Sequence, residues 1–186
     1  LRVQNIPFIP TSEGVVAVIS SPGTPSALFS EASDDILSLQ TEDPPKLYCR
    51  GATLSGTSGR ERTSLATCSL VAGAIVVDGI TVGDVEAGLR NSRHARTLTA
   101  LFRARVKLDD MSGRQTLILC LAGDDEAINT GALVTEVMGL YKAASVEKKG
   151  AASFDEMYDL QVYGVTSEAD AEKVSGCFCL LCLDGM

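Results

Sequence analysis

The sequence predicts an all-β fold, an antiparallel eight-stranded jelly-roll sandwich with one or two short helices in its connecting loops. Strand-like segments follow one another along most of the chain, and turns separate them roughly every ten to fifteen residues. The regular alternation of strand and helix that marks a parallel sheet is not evident in the pattern. Hydrophobic residues make up 45% of the 186 positions and tryptophan is absent, so the core is mainly aliphatic. A chain of this length can bury such a core within one domain.

The first half of the chain divides into an arm and a series of strands. Residues 1–13 contain two prolines and no sustained period, which predicts an extended N-terminal arm ahead of a folded domain at 14–186. The SPGTP segment at 21–25 predicts a turn. Strand-like segments lie at 14–20, 34–40 (a short strand or a turn of helix), 46–56 and 65–79.

The second half continues the strand series and contains both predicted helices. Residues 81–92 have loosely helical spacing behind Thr81, which is a favourable capping residue, and residues 129–144 are also compatible with a helix. The apolar run at 114–123 is typical of a strand buried on both faces. The remaining predicted strands are 98–108, 158–166 and 174–183.

A basic segment stands out in a chain whose net charge is −8. In RHARTLTALFRARVKLDD, residues 93–110, apolar residues take the even positions from Leu98 to Leu108, and basic residues take several odd positions. This two-residue period predicts a half-buried strand with one cationic face. We interpret the face either as solvated surface or as a contact for a polyanion or a neighbouring subunit. The candidate residues are Arg90, Arg93, Arg96, Arg103, Arg105 and Lys107.

Two acidic groups each follow a predicted strand. Asp109 and Asp110 follow the basic segment, and Asp124, Asp125 and Glu126 follow the apolar run at 114–123. Adjacent carboxylate oxygens are ligands that Ca²⁺ prefers, so these loops are candidate calcium ligands at a contact between subunits. Solvated turns are the alternative interpretation.

The sequence contains little that is suited to catalysis. Its single histidine, His94, is interpreted as a solvated residue beside the start of a strand. The GTSGR segment at 56–60 has Arg60 where a nucleophile elbow requires glycine, and GATLSGTS at 51–58 has Thr57 where a P-loop requires lysine. We therefore predict that the protein is not an enzyme.

The cysteines and the hydropathy pattern predict a soluble protein with free thiols and no membrane partner. The six cysteines lack the spacing of a disulfide framework, and Cys177 and Cys179 would face away from Cys182 on a regular strand, which disfavours a zinc site. No secretory signal is recognisable, and no apolar run approaches the ~20 residues of a membrane-spanning helix.

Two stretches resemble the coat proteins of small icosahedral plant RNA viruses, in particular the bromovirus-like group. They are QTLILCLAGDDEAINTGALVTEVM at 115–138, similar to a strand, acidic turn and helical segment of that family, and DLQVYGVTSEADAEKV at 159–174, similar to its penultimate strand and the following turn. The resemblance covers about residues 115–183, and upstream of residue 95 only the strand rhythm matches.

The resemblance implies a capsid subunit that self-assembles into an icosahedral shell around single-stranded RNA. Residues 14–186 would then be the shell domain, the virion and the host cytoplasm its locations, and a basic arm upstream of Leu1 its RNA-binding part. The cationic residues would face the shell interior or a neighbouring subunit, and the acidic groups would make assembly sensitive to pH and Ca²⁺. A carbohydrate- or ligand-binding β-sandwich is the alternative, although the absence of tryptophan and the presence of only four tyrosines leave it few rings to stack on sugars. A small enzyme on a β scaffold is the third interpretation.

Overall fold

The computed structural model describes residues 15–20, 36–39, 47–53, 72–107, 114–122 and 129–165, together with 59, 62–63 and 65–66. Within these residues the protein has an α/β fold built on one sheet. The strands are β1 (Val15–Ser20), β2 (Ile36–Leu39), β3 (Leu47–Thr53), β4 (Ala74–Thr81), β5 (Gln115–Ala122) and β6 (Tyr158–Val165). The helices are α1 (Val82–Glu86), α2 (His94–Lys107), α3 (Thr130–Ser145) and α4 (Phe154–Met157), with a 3₁₀ turn at Leu89–Asn91.

The sheet is mostly parallel and has the strand order β2-β3-β1-β4-β5-β6. The pairs β1–β3, β1–β4, β4–β5 and β5–β6 are parallel, and β2 runs antiparallel to β3. Parallel neighbours need a crossover connection, and α2 and α3 provide it between β4 and β5 and between β5 and β6. The prediction of an all-β antiparallel jelly roll is therefore wrong. The alternative of a β-sandwich is also wrong, because the described strands form a single sheet.

The central strands have the composition of parallel strands. β4 and β5 read AIVVDGIT and QTLILCLA, and nearly every residue of both strands is buried. Near-continuous apolar runs are typical of strands that are covered on both faces, as in parallel sheets, whereas a sandwich strand alternates apolar and polar residues. The prediction of a strand buried on both faces at 114–123 is confirmed, and this feature already indicated a parallel sheet.

The basic segment forms helix α2 and not a strand. Its buried residues include Leu98, Leu101 and Phe102, which recur at the spacing of one helical face. Leu101 also interrupts the two-residue alternation, and alanine, leucine and arginine are strong helix formers. The alternation at 98–108 therefore arose by chance from residues that favour a helix.

Most of the other elements were predicted correctly. The structure confirms strands within 14–20, 34–40, 46–56 and 158–166, a helix within 81–92 and a helix that overlaps 129–144 and ends one residue beyond it. The long strand predicted at 65–79 is wrong in its first part, because Leu65 and Ala66 are helical and β4 begins at Ala74. The predicted arm at 1–13, turn at 21–25 and strand at 174–183 lie outside the described residues.

The core occupies both faces of the sheet. On one face, side chains of β4 and β5 pack against α2 and α3, and an aromatic cluster fills the space towards β6, with ring centroids 5.4–6.1 Å apart. The cluster consists of Phe102, Tyr141, Phe154 and Tyr158. On the other face, Val18, Val76 and Ile118 are fully buried. None of the described helices is long and apolar enough to cross a membrane.

Candidate ligand site at the carboxyl edge of the sheet

The direction in which the chain adds strands to the sheet reverses between β1 and β4. After β1 the chain proceeds to β3 on one side of β1, and after β3 it returns to β4 on the other side. In open parallel sheets, ligands bind in the crevice outside the carboxyl ends of the two strands at such a reversal. The register places Ser20, the last residue of β1, beside Asp78 of β4. This edge is therefore the candidate site.

A β-bulge shapes β4 at this edge. The pairing with β5 shifts between Val77 and Ile80, and Gly79 has a φ of 78°. Glycine adopts this left-handed conformation without the steric cost of a side chain, so the sequence Asp78–Gly79 allows the strand to bend here. Asp78 is fully buried. A polar residue followed by glycine inside an apolar run is the sequence signal for this bulge.

A capping box closes β4 and opens α1. The Asp84 carboxylate accepts hydrogen bonds from the Thr81 amide at 3.0 Å and from the Thr81 hydroxyl at 2.7 Å, and the Asp84 amide donates to the Thr81 hydroxyl at 3.2 Å. Burial raises the pKa of Asp84, but the hydrogen bonds from Thr81, with the charges of His94 and Arg93, lower the pKa on balance. The predicted cap at Thr81 is confirmed.

His94 joins this edge to the first turn of α2. Its side chain is fully buried, and Nε2 lies 3.7 Å from the Asp84 Oδ2. Burial lowers the pKa of His94, and the Arg93 charge lowers it further; Asp84 and a hydrogen bond with the Gly79 backbone oppose the shift without reversing it. The interpretation of His94 as a solvated residue is wrong, because this side chain packs between the bulge of β4 and the cap of α1.

The described part of this edge offers polar contacts but little reactivity. Thr81 and Asp84 are partly exposed and supply hydroxyl and carboxylate oxygens, whereas Asp78 is fully buried beside them. Among the described residues, no group of three or more histidine, cysteine, aspartate or glutamate side chains is arranged to hold a metal ion. Cys120, on the neighbouring strand, is a free and buried thiol, and burial together with the Asp78 charge raises its pKa, so it is not a reactive thiolate.

The predicted cationic residues do not share one face. Arg96, Arg103 and Lys107 are exposed and lie along one line of α2, since seven and eleven residues are close to two and three helical turns. Arg93 is exposed just before α2, and Arg90 is exposed in the 3₁₀ turn, where its Nε lies 3.8 Å from the Glu136 carboxylate.

Arg105 differs from the other five cationic residues because it points into the protein. Only 4% of its surface is exposed, and its charge acts on the buried Tyr158 hydroxyl. Burial nevertheless raises the pKa of Tyr158, so the phenol stays protonated. The predicted cationic strand face with Arg103, Arg105 and Lys107 together is therefore wrong, and no single surface carries all six residues.

The predicted calcium ligands lie outside the described residues. Asp109 and Asp110 precede β5 in the chain, whereas Asp124, Asp125 and Glu126 follow it, so the eight residues of β5 separate the two groups. The calcium site at a subunit contact stays a prediction.

The comparisons with known proteins identify no family. Neither the protein-family models nor the curated proteins contain a match. Among solved structures, the chain is similar to an ADP-ribosylation factor-like GTP-binding protein, the small COPII coat GTPase SAR1 of Encephalitozoon cuniculi in complex with GDP. The identity is 13%, the alignment covers 91% of this chain and 78% of that chain, and the TM-score is 0.45.

The signal recognition particle receptor SRb of Chaetomium thermophilum, with GDP and Mg, is similar to the same degree. The identity is 12%, the alignment covers 88% of this chain and 98% of that chain, and the TM-score is 0.45. Likenesses at this level carry no argument about function.

The resemblance to icosahedral virus coat proteins is wrong. It implied a jelly roll, and the two stretches on which it depended lie largely in parallel strands and in α3. The function as a capsid subunit is wrong with it, since the shell was inferred from a jelly-roll fold that the parallel sheet excludes. Single-stranded RNA as a partner, and the virion or host cytoplasm as a location, are predictions that the structure does not test.

Proposed function

We propose that this protein is a binding domain that takes a small polar ligand at the carboxyl edge of its sheet, between β1 and β4. The observation that carries the proposal is the reversal of strand order between these two strands. A crevice is expected there because the chain continues from β1 towards β2 and β3 and from β4 towards β5, which lie in opposite directions along the strand order. The bulge at Gly79 and the partly exposed residues Thr81 and Asp84 support the proposal, since they place polar groups at this edge.

Binding without catalysis is favoured by the environments of His94 and Cys120, the histidine and the cysteine whose side chains the structure describes. The only histidine in the sequence is fully buried against Asp84, and its lowered pKa keeps it neutral near pH 7. A general base has to reach its substrate, and His94 does not reach the surface. Cys120 is buried as well, with a raised pKa. These environments support the sequence-based prediction that the protein is not an enzyme.

The charge at this edge favours a ligand with hydroxyl or cationic groups over a bare phosphate. Asp78 and Asp84 are carboxylates, and a phosphate beside them would meet repulsion unless a cation accompanied it. The sequence that follows β1, residues 21–35, contains neither lysine nor arginine, so it lacks the lysine with which a P-loop contacts phosphates.

Nuclear magnetic resonance tests the proposal directly. A ¹⁵N-labelled sample of the 19.5 kDa chain is titrated with a panel of polyols, amines and nucleotides, which includes GDP with Mg²⁺ as a phosphate accompanied by a cation. We expect at least one ligand to shift the amide signals of Ser20 and of residues 79–84. The amides of Gly73, Gln115 and Tyr158 serve as internal controls, because they lie at the amino ends of the strands.

A matched pair of variants separates binding at this edge from binding elsewhere. Glu86→Lys reverses an exposed charge at the end of α1, and Glu147→Lys makes the same change beyond the far end of α3. We expect only Glu86→Lys to change the dissociation constant. Shifts confined to the amino ends of the strands, or no shifts with any ligand of the panel, would contradict the proposal.

A further inference from the structure

Strand β6 forms one edge of the described sheet and has few features that block pairing. It is eight residues long and pairs with β5 in unbroken register, and β5 is its one partner among the described strands. Proteins protect exposed edges with prolines, bulges, very short strands or several charges. The sequence YDLQVYGV contains no proline and one charged residue, Asp159.

The two faces of β6 differ in polarity. Leu160 and Val162 are partly buried against the core that α2 and α3 cover. On the opposite face, Gln161 donates to the Asp159 carboxylate at 3.1 Å, and the Tyr163 hydroxyl donates to the Gln161 amide oxygen at 2.8 Å. The strand therefore presents one apolar row and one row of hydrogen-bonding side chains.

We propose that β6 pairs antiparallel with β6 of a second copy of this chain, about a two-fold axis at Gln161. Opposite residues in an antiparallel pair lie on the same face of the sheet. In β6 the apolar row has even residue numbers and the polar row has odd ones, so like rows meet only if even residues lie opposite even residues and odd residues opposite odd ones. A two-fold axis that passes through a residue satisfies this condition. With the axis at Gln161, Leu160 lies opposite Val162 of the second copy, and Asp159 lies opposite Tyr163. The apolar row then continues across the interface, and the carboxylate meets a phenol.

The neighbouring register fits less well. An axis at Val162 would place Asp159 opposite Val165 and Leu160 opposite Gly164, so the carboxylate would lose a polar neighbour and the leucine an apolar one. An axis at Leu160 would instead place Tyr158, which is buried in the aromatic cluster, opposite Val162. Among these self-pairings, the axis at Gln161 gives the most complementary contacts, and this self-complementarity is the reason for proposing a second copy as the partner. The result is one two-fold dimer with a continuous sheet and is not a shell.

Sedimentation and cross-linking test this pairing. A single strand pair buries less than the roughly 1,600 Å² of a standard interface, so we expect a dimer with a Kd on the order of 10–100 µM in analytical ultracentrifugation. Gln161→Lys keeps a favourable contact with Asp159 of its own chain but places two ammonium groups opposite each other. We expect it to weaken the dimer at least tenfold while the melting temperature stays within a few degrees.

Two single-cysteine variants determine the register of the pairing. Gln161→Cys brings two thiols directly opposite each other, within the range that a disulfide spans, whereas Asp159→Cys leaves its thiol about 13 Å from its counterpart along the strand. Under mild oxidation we expect a covalent dimer from the first variant only, with the bond at residue 161 confirmed by mass spectrometry and the unsubstituted chain as background. A chain that stays monomeric at about 500 µM, or a folded Gln161→Cys variant that forms no such bond, would overturn the proposal. Ligand binding at the carboxyl edge does not depend on either result.

Discussion

His94 shows how one buried side chain connects three parts of the molecule. Its ring contacts the Asp84 carboxylate of the capping box and bonds to the Gly79 backbone of the bulge, and its own backbone begins α2. A positive charge at this position would be buried and would lie at the N-terminus of a helix, where cations are unfavourable. The neutral ring is therefore part of the folded structure at neutral pH.

The lowered pKa of His94 makes stability depend on pH. In the unfolded chain histidine binds its proton near pH 6.5, whereas the folded chain binds it only at lower pH. The unfolded state therefore binds more protons as the pH falls below about 6.5, and the free energy of unfolding decreases there. Asp84 affects stability in a separate, lower pH range. Because its pKa is lowered in the folded protein, its contribution to the free energy of unfolding is lost as the pH falls below 3.8.

We expect the single histidine Hε1 resonance of the folded protein to titrate with a midpoint below 6.5. We also expect His94→Gln to flatten the loss of unfolding free energy between pH 6.5 and 5.0 in urea titrations. The chain has no second histidine to confuse either measurement. A midpoint at or above 6.5 would show that the ring is solvated or that Asp84 outweighs burial.

Single residues also explain which parts of the site the sequence could predict. The Thr81 cap was predictable, because threonine before a helical pattern has a local physical meaning. The burial of His94 and Arg105 was not, because it depends on which face of α2 meets the sheet. A strand at 98–108 leaves His94 outside the element and places Arg105 on its cationic face, so it predicts neither burial.

Helix α3 illustrates packing at the scale of one element. Arg90 reaches across from the 3₁₀ turn to the surface of α3, where its amide donates to the Glu136 carboxylate at 3.2 Å. The guanidinium group lies over Gly139, and a Cβ atom at that position would come within 3.2 Å of the Arg90 Cζ and collide with its terminal nitrogen. The side chain of Arg90 is 60% exposed, so this flexible group can move away.

Gly139→Ala is expected to stabilise the protein slightly. Alanine in a helix interior is favoured over glycine by about 1 kcal/mol, whereas an exposed ion pair such as Arg90–Glu136 contributes about 0–1 kcal/mol. We expect a net gain of about 0.5 kcal/mol in urea unfolding. In an Arg90→Ala background the same change should give the full value of about 1 kcal/mol, because the obstructing group is gone. A loss of more than about 1 kcal/mol would show that Arg90 is held rigidly.

The sequence predicts where most elements lie and whether they are strands or helices, but it does not settle the type of one segment, 94–107. Segments β1, β5 and β6 have composition and length that only strands satisfy well, and 129–144 has a clear helical apolar face. The apolar residues of segment 94–107 fit both the two-residue period of a strand and the 3.6-residue period of a helix. The abundance of alanine, leucine and arginine was the physical signal that favoured the helix.

At the scale of the whole molecule, the two helices decide the topology. With α2 and α3 placed between successive strands, β4, β5 and β6 have to run parallel, and the sheet is covered by helices on at least one face. With 98–108 taken as a strand, the same chain reads as a series of antiparallel strands. The type of this one element therefore decides the fold class and, with it, the function that the sequence implies.

The parallel arrangement also places the proposed ligand site and the proposed dimer edge apart. The carboxyl edge between β1 and β4 lies in the middle of the strand order, and β6 lies at its end. Since β5 separates β4 from β6, a change at Gln161 does not touch the bulge at Gly79.

The parallel register of β4 and β5 is the property on which the other conclusions depend. Nuclear Overhauser contacts across this pair measure it directly, and we expect them to join Ile75 with Leu117, Val76 with Ile118 and Val77 with Leu119, with both residue numbers rising together. Antiparallel strands instead bring Cα atoms to about 4.5 Å in every second pair and give strong Hα–Hα contacts. Such contacts, with one residue number rising as the other falls, would contradict the parallel sheet and the ligand site proposed at its carboxyl edge.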